Sequence, residues 1–272
     1  MAIQLGSTNF GSLYLGSTKV AEAYLGSVKV YPSGPNYNPL NLPAKTMRVV
    51  YIDNYTPSFR TGVTGVQVSS SPNVWDITYP YTIWNNGVLR LNNEYGGYGG
   101  KDKVLQVLGA NTQGVTSMES LFEQCTNLTT VALFDTTAVT NMQQMFSACT
   151  ALTSVPEFDT SAVTNMVNMF TDCQSLASCP TYNTHLVTRF DQMFYNCSAL
   201  TAVPLFDVTS ATNVSYMFYF CRAVESGSLA LYNVLSAKTW ENQNAYYNCF
   251  DSCGSNTTSG AAELAQIPSS WK

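Results

Sequence analysis

The sequence has little charge. Charged residues make up 11% of the 272 residues, and histidine occurs once, at His185, whereas an average soluble domain has about 25% charged residues. The net charge is −5, and the stretch from Val104 to Arg222 holds eight acidic residues against two arginines. The chain therefore lacks the basic face that nucleic-acid binding requires, and phosphate-rich partners do not suit this surface.

Long apolar runs are also missing. No run approaches the length of a membrane-spanning helix, about 20 residues, so the sequence predicts no membrane span. The hydrophobic fraction is nevertheless 45%, which is enough to fold a core. Uncharged polar residues and tyrosine are left to fill the surface, a composition that suits extracellular or virion proteins that bind sugars or other proteins.

The cysteines follow a period. Five of them are separated by 24 residues, each closing a Phe-x-x-Cys group, and a sixth copy follows after 32 residues at Phe250 and Cys253. The regular positions are Cys125, Cys149, Cys173, Cys197 and Cys221. Because each cysteine ends an apolar stripe, we expect reduced, buried thiols. The spacing does not fit a zinc site, so no metal is predicted.

Each 24-residue repeat has an internal pattern. Between Val163 and Cys173 the apolar positions have offsets of 0, 3, 6, 7 and 10, which predicts one face of a short helix. Thr164 is placed to N-cap that helix, and the equivalent residues are Thr140, Thr188 and Thr212. Apolar residues three apart, beside a proline, then predict a short strand. The predicted fold is an α/β repeat, a leucine-rich-repeat-type solenoid in which stacked repeats share one core.

The repeat pattern resembles the BspA-like leucine-rich repeats of bacterial and phage surface proteins. The residues Asn165 to Met169, Phe170, Cys173 and Leu176 carry this pattern, N-M-x-x-M-F-x-x-C-x-x-L. The resemblance covers roughly residues 104 to 253, and the repeat from Cys179 to Phe190 departs from it. It implies adhesion or recognition and no catalysis.

A second repeat has ten residues. Leu-Gly-Ser recurs at Leu5, Leu15 and Leu25, and Tyr14 and Tyr24 keep the same register. Alternation with Gly-Ser turns predicts small strands with almost no core of their own, so we expect these residues to dock on another chain. The segment resembles the N-terminal modules of fibre proteins from gut bacteriophages. That resemblance implies docking to other virion proteins through residues 1–34, and a homo-oligomer such as a trimer.

The sequence predicts five segments. They are an anchoring segment (1–34), a Pro-rich linker (35–45), a β-rich cap domain (46–103), the solenoid (104–253) and a C-terminal cap or tail (254–272). Within the cap domain, strands are predicted at 47–52, 65–69, 74–79 and 88–91. The cap would cover the first repeat, which would otherwise expose the core of the solenoid.

Candidate ligand-binding residues are those that break the period. Tyr195, Tyr216, Tyr219 and Phe220 fall at positions that the pattern leaves exposed, and the insertion of the last repeat adds Trp240, Tyr246 and Tyr247. Exposed tyrosine and tryptophan suit binding surfaces. The alternative is that they pack against a cap or a partner subunit. His185, at a predicted turn, is a further candidate for ligand contact.

A column of acidic residues is the remaining candidate for a chemical role. Asp135, Asp159, Asn183 and Asp207 recur at the turn of each repeat. They could hold a cation or form a glycosidase pair, but the favoured interpretation is that each caps its own turn. No catalytic residue and no cofactor is predicted.

The leading functional expectation is a non-enzymatic phage virion-surface protein, a head or tail fibre, whose solenoid binds a host surface glycan or protein receptor. The first alternative is a secreted BspA-like bacterial adhesin at the cell surface. The second alternative is a fibre-borne glycan depolymerase.

Overall fold

The computed structural model describes residues 40, 42–43, 46–53, 56–57, 64–78 and 100–272, together with the backbone of four short strands near the N-terminus. Those strands are β1 (Tyr14–Leu15), β2 (Thr18–Lys19), β3 (Ala23–Leu25) and β4 (Val28–Val30). They pair antiparallel as β1 with β2 and β3 with β4, in line with the alternating decapeptide pattern. Of the predicted docking residues, Leu5 lies outside the described residues, and only the backbone of Tyr14, Leu15, Tyr24 and Leu25 is described.

A five-stranded mixed sheet leads into the repeats. Its strands are β5 (Thr46–Tyr51), β6 (Thr64–Ser70), β7 (Asn73–Thr78), β8 (Val104–Ala110) and β9 (Thr130–Val131). Their order is β6-β7-β5-β8-β9, and only the β8–β9 pair is parallel. Strands β5, β6 and β7 match three predicted segments, whereas 88–91 lies outside the described residues. Because β9 belongs to the first repeat, the sheet is continuous with the repeats.

The repeats stack on one another through backbone hydrogen bonds. Parallel bridges join Ser117 to Asn141, Asn141 to Asn165, Asn165 to Arg189 and Arg189 to Asn213. After each bridge, every second N–H donates to the following repeat; the Phe122 N–H, for example, lies 2.8 Å from the Met145 carbonyl oxygen. The N–H groups between them close turns within their own repeat, as Cys125 does on the Phe122 carbonyl at 3.0 Å. The predicted stacking of 24-residue units is therefore present.

The predicted helix in each repeat is wrong. Two residues four positions apart adopt left-handed backbone angles in every copy; in the third repeat they are Asn168 (φ 55°) and Asp172 (φ 60°). An α-helix needs negative φ throughout and N–H bonds to the carbonyl four residues back. Here the Asn168 N–H bonds to Asp191 in the next repeat at 3.0 Å. The turns also close between residues three apart, so they produce the same apolar spacing as a helix.

The predicted threonine N-caps are wrong for the same reason. The Oγ of Thr164 donates to the Thr140 carbonyl of the previous repeat at 3.2 Å. The same bond, over 3.0–3.3 Å, is made by Thr140, Thr188 and Thr212. These threonines therefore tie neighbouring repeats together instead of beginning a helix.

The predicted strand after each helix is absent from most repeats. Within the described part of the chain, this segment forms a strand only in the first repeat, as β9, apart from a single bridge between Ala202 and Ser226. The later copies contain Pro156, Pro180 and Pro204, and proline has no N–H to donate to a ladder. The predicted α/β composition is thus corrected to turn-built repeats on a mixed sheet.

The core is one continuous cluster that runs from Met47 in β5 to Trp271 near the C-terminus. Its central feature is a stack of buried phenylalanines whose ring centroids are 5.2–5.6 Å apart over four successive contacts. These rings are Phe122, Phe146, Phe170, Phe194 and Phe218. Phe250 continues the stack, 6.0 Å from Phe218. Each repeat therefore completes its core only against its neighbours.

The cysteines form a second ladder beside these rings. The thiol of Cys173 donates to the Phe146 carbonyl at 3.1 Å, and Cys149, Cys197 and Cys221 make the same bond over 2.9–3.1 Å. All eight cysteines are free, as the sequence predicts. Burial raises the pKa of Cys125 to about 12, and burial also raises the pKa of Cys173. These thiols therefore stay protonated, which keeps them available as donors.

Two helices follow the fifth repeat. Helix α1 (Ser228–Ser236) lies in the long sixth repeat, and helix α2 (Thr258–Gln266) lies in the tail. Glu263 of α2 accepts the Leu229 N–H at 3.1 Å at the start of α1, where a carboxylate satisfies free backbone donors. Trp271, 6% exposed, stacks on Tyr246 at 4.2 Å. The tail packs against the last repeat, and the division into five segments stays a prediction.

Among the residues that the structure describes, no helix combines the length and apolar character needed to cross a membrane.

Candidate functional site

The outer positions of the turns form a strip along the repeats, and this strip changes from polar to aromatic. In the third repeat it holds Asn168, Thr171 and Asp172. In the fifth repeat the equivalent residues are Tyr216, Tyr219 and Phe220. We use the name aromatic surface for Tyr195, Tyr216, Tyr219, Phe220 and Tyr247. Tyr247 is 49% exposed, and the other four are half-buried.

The rings of the aromatic surface contact one another. Tyr195 stacks on Tyr219 with centroids 5.0 Å apart and planes 14° apart. Tyr216 stands nearly perpendicular to Tyr219 (5.6 Å, 70°) and to Tyr247 (5.5 Å, 79°). Phe220 lies 4.1 Å from Tyr219. The structure therefore brings four predicted residues together into one cluster with Tyr247, which the sequence places in the last repeat.

Two of these rings occupy strained backbone positions. Tyr216 (φ 56°) and Phe220 (φ 61°) are left-handed, a conformation that is an outlier for bulky residues and costs about 1–2 kcal/mol each. The other repeats place Ser, Gln, Asn, Asp or Ala at these positions. Aromatic rings are thus present where they are less favourable for folding, and such strain often marks a functional site.

Charged groups stand beside the rings. The Arg222 guanidinium carbon lies 4.5 Å from the centre of the Phe220 ring, within the range of a cation–π interaction. Partial desolvation raises the pKa of Tyr219, and the nearby carboxylate of Asp251 raises it further. Asp251 also accepts the Ser252 hydroxyl at 2.9 Å. The surface therefore has aromatic faces, phenol hydroxyls and one charge of each sign.

Trp240 does not join the aromatic surface. It packs edge-to-face against Trp271 (6.1 Å) and Tyr246 (6.0 Å), and its indole N–H donates to the Leu235 carbonyl at 3.1 Å. Lys238 lies 5.8 Å from its ring. These contacts match the alternative that a predicted binding aromatic packs against the cap. Trp240 is half-buried as part of the C-terminal packing.

His185 is exposed and lies at the Asn183 turn of its repeat. Its ring Nδ1 is 2.7 Å from the Asn183 side-chain oxygen, and its carbonyl accepts the Ser210 hydroxyl at 2.6 Å. Asn183 is in the acidic column, which is a different position of the repeat from the aromatic strip. The predicted role of His185 in ligand contact stays a prediction.

The acidic column serves the turns. Asp159 accepts the Ser161 N–H at 2.9 Å and its hydroxyl at 2.6 Å. Equivalent N–H bonds reach Asp135, Asn183 and Asp207. The pKa of Asp207 is lowered by hydrogen bonds from Thr209, first by the bond from its hydroxyl and then by the bond from its N–H. Capping is thus the arrangement observed at every member. Among the described residues, no cluster of three or more His, Cys, Asp or Glu side chains could hold a metal ion.

Sequence reasoning missed two residues of the site, Arg222 and Asp251. The signal for Asp251 is its register: it lies 32 residues after Tyr219, the length of the last repeat, and so occupies the same column. Arg222 follows Phe220 by two residues in a column that otherwise holds Thr, Gln and Ser in the earlier repeats and Gly254 in the last one. Both are departures from the repeat, like the aromatic residues beside them.

Comparison with known proteins gives one family. Two overlapping matches, at residues 116–232 and 154–252, fall on the family described as "Mycoplasma protein of unknown function, DUF285". Together they span residues 116–252, half of the 272-residue chain. No curated protein and no solved structure matches the chain significantly.

These findings correct the predicted partners. The sequence predicts virion proteins at residues 1–34, a host glycan or protein, and a homo-oligomer. The family match lies wholly outside residues 1–34, and its description gives no function and no partner. The partner assignment is therefore withdrawn, and the resemblance to phage fibre modules gains no support. The chain belongs to the DUF285 family, a BspA-like family of repeat-containing proteins.

Proposed function

We propose that this chain is a non-enzymatic surface binding protein, in which the stacked repeats form a solenoid scaffold and the aromatic surface contacts the ligand. One observation carries the proposal: clustered rings, two of them in strained left-handed positions, replace polar residues on the outer strip of the last repeats. Because tyrosine combines an apolar face with a hydroxyl, it is the residue that binding surfaces favour.

The roles of the other polar columns support a non-catalytic protein. The carboxylate oxygens of Asp159 and Asp207 accept hydrogen bonds from their own turns. The buried hydroxyl of Thr160 donates to the Asn183 carbonyl at 2.7 Å. Both columns have a structural task in the repeats that carry these residues. A glycan depolymerase is the enzymatic alternative; cleavage of a polysaccharide that Asp159→Asn or Asp207→Asn abolished would contradict the proposal.

The location of the protein, on a bacterial cell surface or on a phage virion surface, is part of the proposal. The BspA-like family favours a bacterial cell surface, and the decapeptides near the N-terminus favour a phage virion surface. Mass spectrometry of purified phage particles and of the bacterial surface fraction separates the two. Detection of the chain in neither fraction would contradict a surface location.

A binding measurement tests the central part of the proposal. The labelled full-length chain is applied to arrays of immobilised carbohydrates, peptides and small-molecule headgroups. We expect Tyr216→Asn and Tyr219→Thr to reduce binding by about 10-fold together, as expected when hot-spot rings are removed. The matched controls Gln144→Asn and Ser147→Thr change the same columns in the second repeat and should leave binding unchanged. Equal binding by both pairs would refute the assignment of the surface.

A further inference from the structure

Arg222 lies beside the aromatic surface and is exposed. Its backbone is fixed on both sides: the Arg222 N–H lies 2.9 Å from the Phe220 carbonyl oxygen, and the Arg222 carbonyl accepts the Asn256 N–H at 3.0 Å. Its guanidinium carbon lies 4.5 Å from the centre of the Phe220 ring. A cation–π contact attracts the charge to the ring without using an oxygen acceptor. The ring therefore holds the guanidinium in place and leaves its donors available.

No oxygen in the described part of the chain takes up those donors. Among the lysines and arginines whose side chains the structure describes, Arg222 is the one with neither an ion pair nor a hydrogen bond to an oxygen. Arg189 is the contrast, since its Nε and Nη2 donate to the Asp191 carboxylate at 3.0 and 2.8 Å. Neutral Thr, Gln and Ser occupy the Arg222 column in the earlier repeats, so the scaffold does not require this charge. The five N–H donors of a guanidinium are thus available to a ligand.

The ligand group that matches these donors is a carboxylate. A planar guanidinium pairs with the two carboxylate oxygens through two parallel N–H···O bonds. The charge balance favours a ligand with few negative charges, because the stretch from Val104 to Arg222 holds eight acidic residues against two arginines. Asp191 already neutralises the other arginine. A polyanion would be repelled by this field, whereas one guanidinium balances one carboxylate.

The tyrosines of the aromatic surface indicate what carries the carboxylate. Tyr195, Tyr216 and Tyr219 contact one another through their rings, so much of their ring area is covered. Their hydroxyls and that of Tyr247 make no hydrogen bond to the described part of the chain. A phenol hydroxyl both donates and accepts, as a sugar hydroxyl does, whereas the ionised side chains of an acidic peptide only accept. The hydroxyls therefore favour a sugar over an acidic peptide.

We propose that Arg222 binds the carboxylate of a hexuronate residue in an otherwise neutral oligosaccharide, while the tyrosine hydroxyls bind the hydroxyl groups of the sugar. The inference rests on the proposed function of the aromatic surface and names the class of its ligand. A neutral sugar could use the same hydroxyls but would gain nothing from Arg222. Dependence on the carboxylate therefore distinguishes this ligand from other sugars.

A paired array tests the inference. Oligosaccharides that carry one glucuronate, galacturonate, mannuronate or guluronate residue are immobilised, each beside its methyl ester, which keeps the linkages and hydroxyl groups and removes the charge. The labelled full-length chain is applied at low ionic strength, because salt screens exposed charges. We expect at least one acid to bind about 5-fold more tightly than its ester, the upper range for an exposed ion pair. Equal binding of acid and ester in every pair, or no binding to any pair, would overturn the inference.

Variants assign the binding to the arginine. Arg222→Gln gives this column its third-repeat residue, and it should reduce binding of the acid to the level of the ester without affecting the ester. Arg222→Lys keeps the charge but not the planar pair of donors, so its acid binding should lie between the two. Lys238→Gln is the matched control, since it removes another cation that lies beside a ring, 5.8 Å from Trp240, and it should leave acid binding unchanged. A preference for the acid that persists in Arg222→Gln would contradict the inference.

A poly-glutamate peptide on the same array separates a sugar from an acidic peptide, and tighter binding to this peptide than to every hexuronate would overturn the inference. The aromatic variants separate the inference from the proposed function. If Tyr216→Asn and Tyr219→Thr abolish array binding while acid and ester bind the unchanged chain equally, the surface assignment stands and the carboxylate inference fails. If those two variants bind like the unchanged chain while Arg222→Gln loses the preference for the acid, the carboxylate site stands and the surface assignment fails.

Discussion

Coupling between neighbouring phenylalanines offers a quantitative test of repeat stacking. Phe146 and Phe170 are both fully buried, and their ring centroids lie 5.6 Å apart with planes 4° apart. Replacing either by leucine keeps an apolar side chain but loses ring volume and the two contacts along the phenylalanine stack; Phe146 also loses its contact with Phe158. We expect each single change to cost about 1–2 kcal/mol, well below the 3–5 kcal/mol of a buried Phe→Ala change.

The double variant measures the coupling between the two rings. The contact between Phe146 and Phe170 is already lost in each single variant, so it is counted twice when the two costs are added. The double variant should therefore be more stable than the sum predicts by about 0.5–1.5 kcal/mol, the value of one aromatic pair. The control pair is Phe122→Leu with Phe194→Leu, whose rings stack on other residues and not on each other. Their costs should add within about 0.3–0.5 kcal/mol.

The assay is urea unfolding at equilibrium, followed by both fluorescence and circular dichroism. Coincident transitions are needed because repeat proteins can depart from two-state behaviour. A coupling that is equal in the two pairs, or absent from the Phe146 and Phe170 pair, would refute stacking in this register.

Three further predictions concern the polar ladders. Thr160→Val removes the hydroxyl that donates to Asn183 at 2.7 Å, so urea unfolding should show a loss of about 1–3 kcal/mol, and a smaller loss would contradict the ladder. Asp159→Ala removes the acceptor of its turn and should lower the free energy of unfolding by about 1 kcal/mol, with no change if capping is unimportant. Burial raises the pKa of Cys125 from 9.0 to about 12, so the unfolded chain loses this proton first and stability should fall as pH rises from 9 to 12; Cys125→Ala should make that fall, measured by urea unfolding at each pH, less steep.

The sequence was sufficient to predict the period, the core columns and the free thiols. These features depend on which residues are buried, and a 24-residue repeat of Phe, Leu and Cys shows directly which positions are buried. The backbone conformation cannot be read from the sequence in the same way. Turns closing over three residues and an α-helix give the same apolar spacing. The positions with left-handed angles hold ordinary residues, such as Gln144 and Ala148, so the residue type does not reveal the backbone conformation. The helix prediction failed at that point.

The candidate site was predictable where residues depart from the repeat. Tyr216 and Tyr219 stand out because earlier repeats carry polar residues in their columns. Trp240 was placed with them because an insertion has no earlier repeat for comparison, and only the structure shows that it packs on Trp271. The partner of each ring depends on contacts between repeats. Such contacts can be read from the sequence only once the register, including the 32-residue last repeat, is applied.

The central claim is that the repeated columns build the scaffold and that the residues that break the repeat bind the ligand. Replacing the aromatic surface by the residues of an earlier repeat tests this claim most directly. The variant carries the third-repeat residues at five positions: Tyr195→Thr, Tyr216→Asn, Tyr219→Thr, Phe220→Asp and Tyr247→Val. Array binding and urea unfolding are measured on the same sample. We predict that binding is lost while the unfolding midpoint is unchanged or higher, because asparagine and aspartate tolerate left-handed angles better than aromatic residues do. Retained binding with an intact fold would contradict the account.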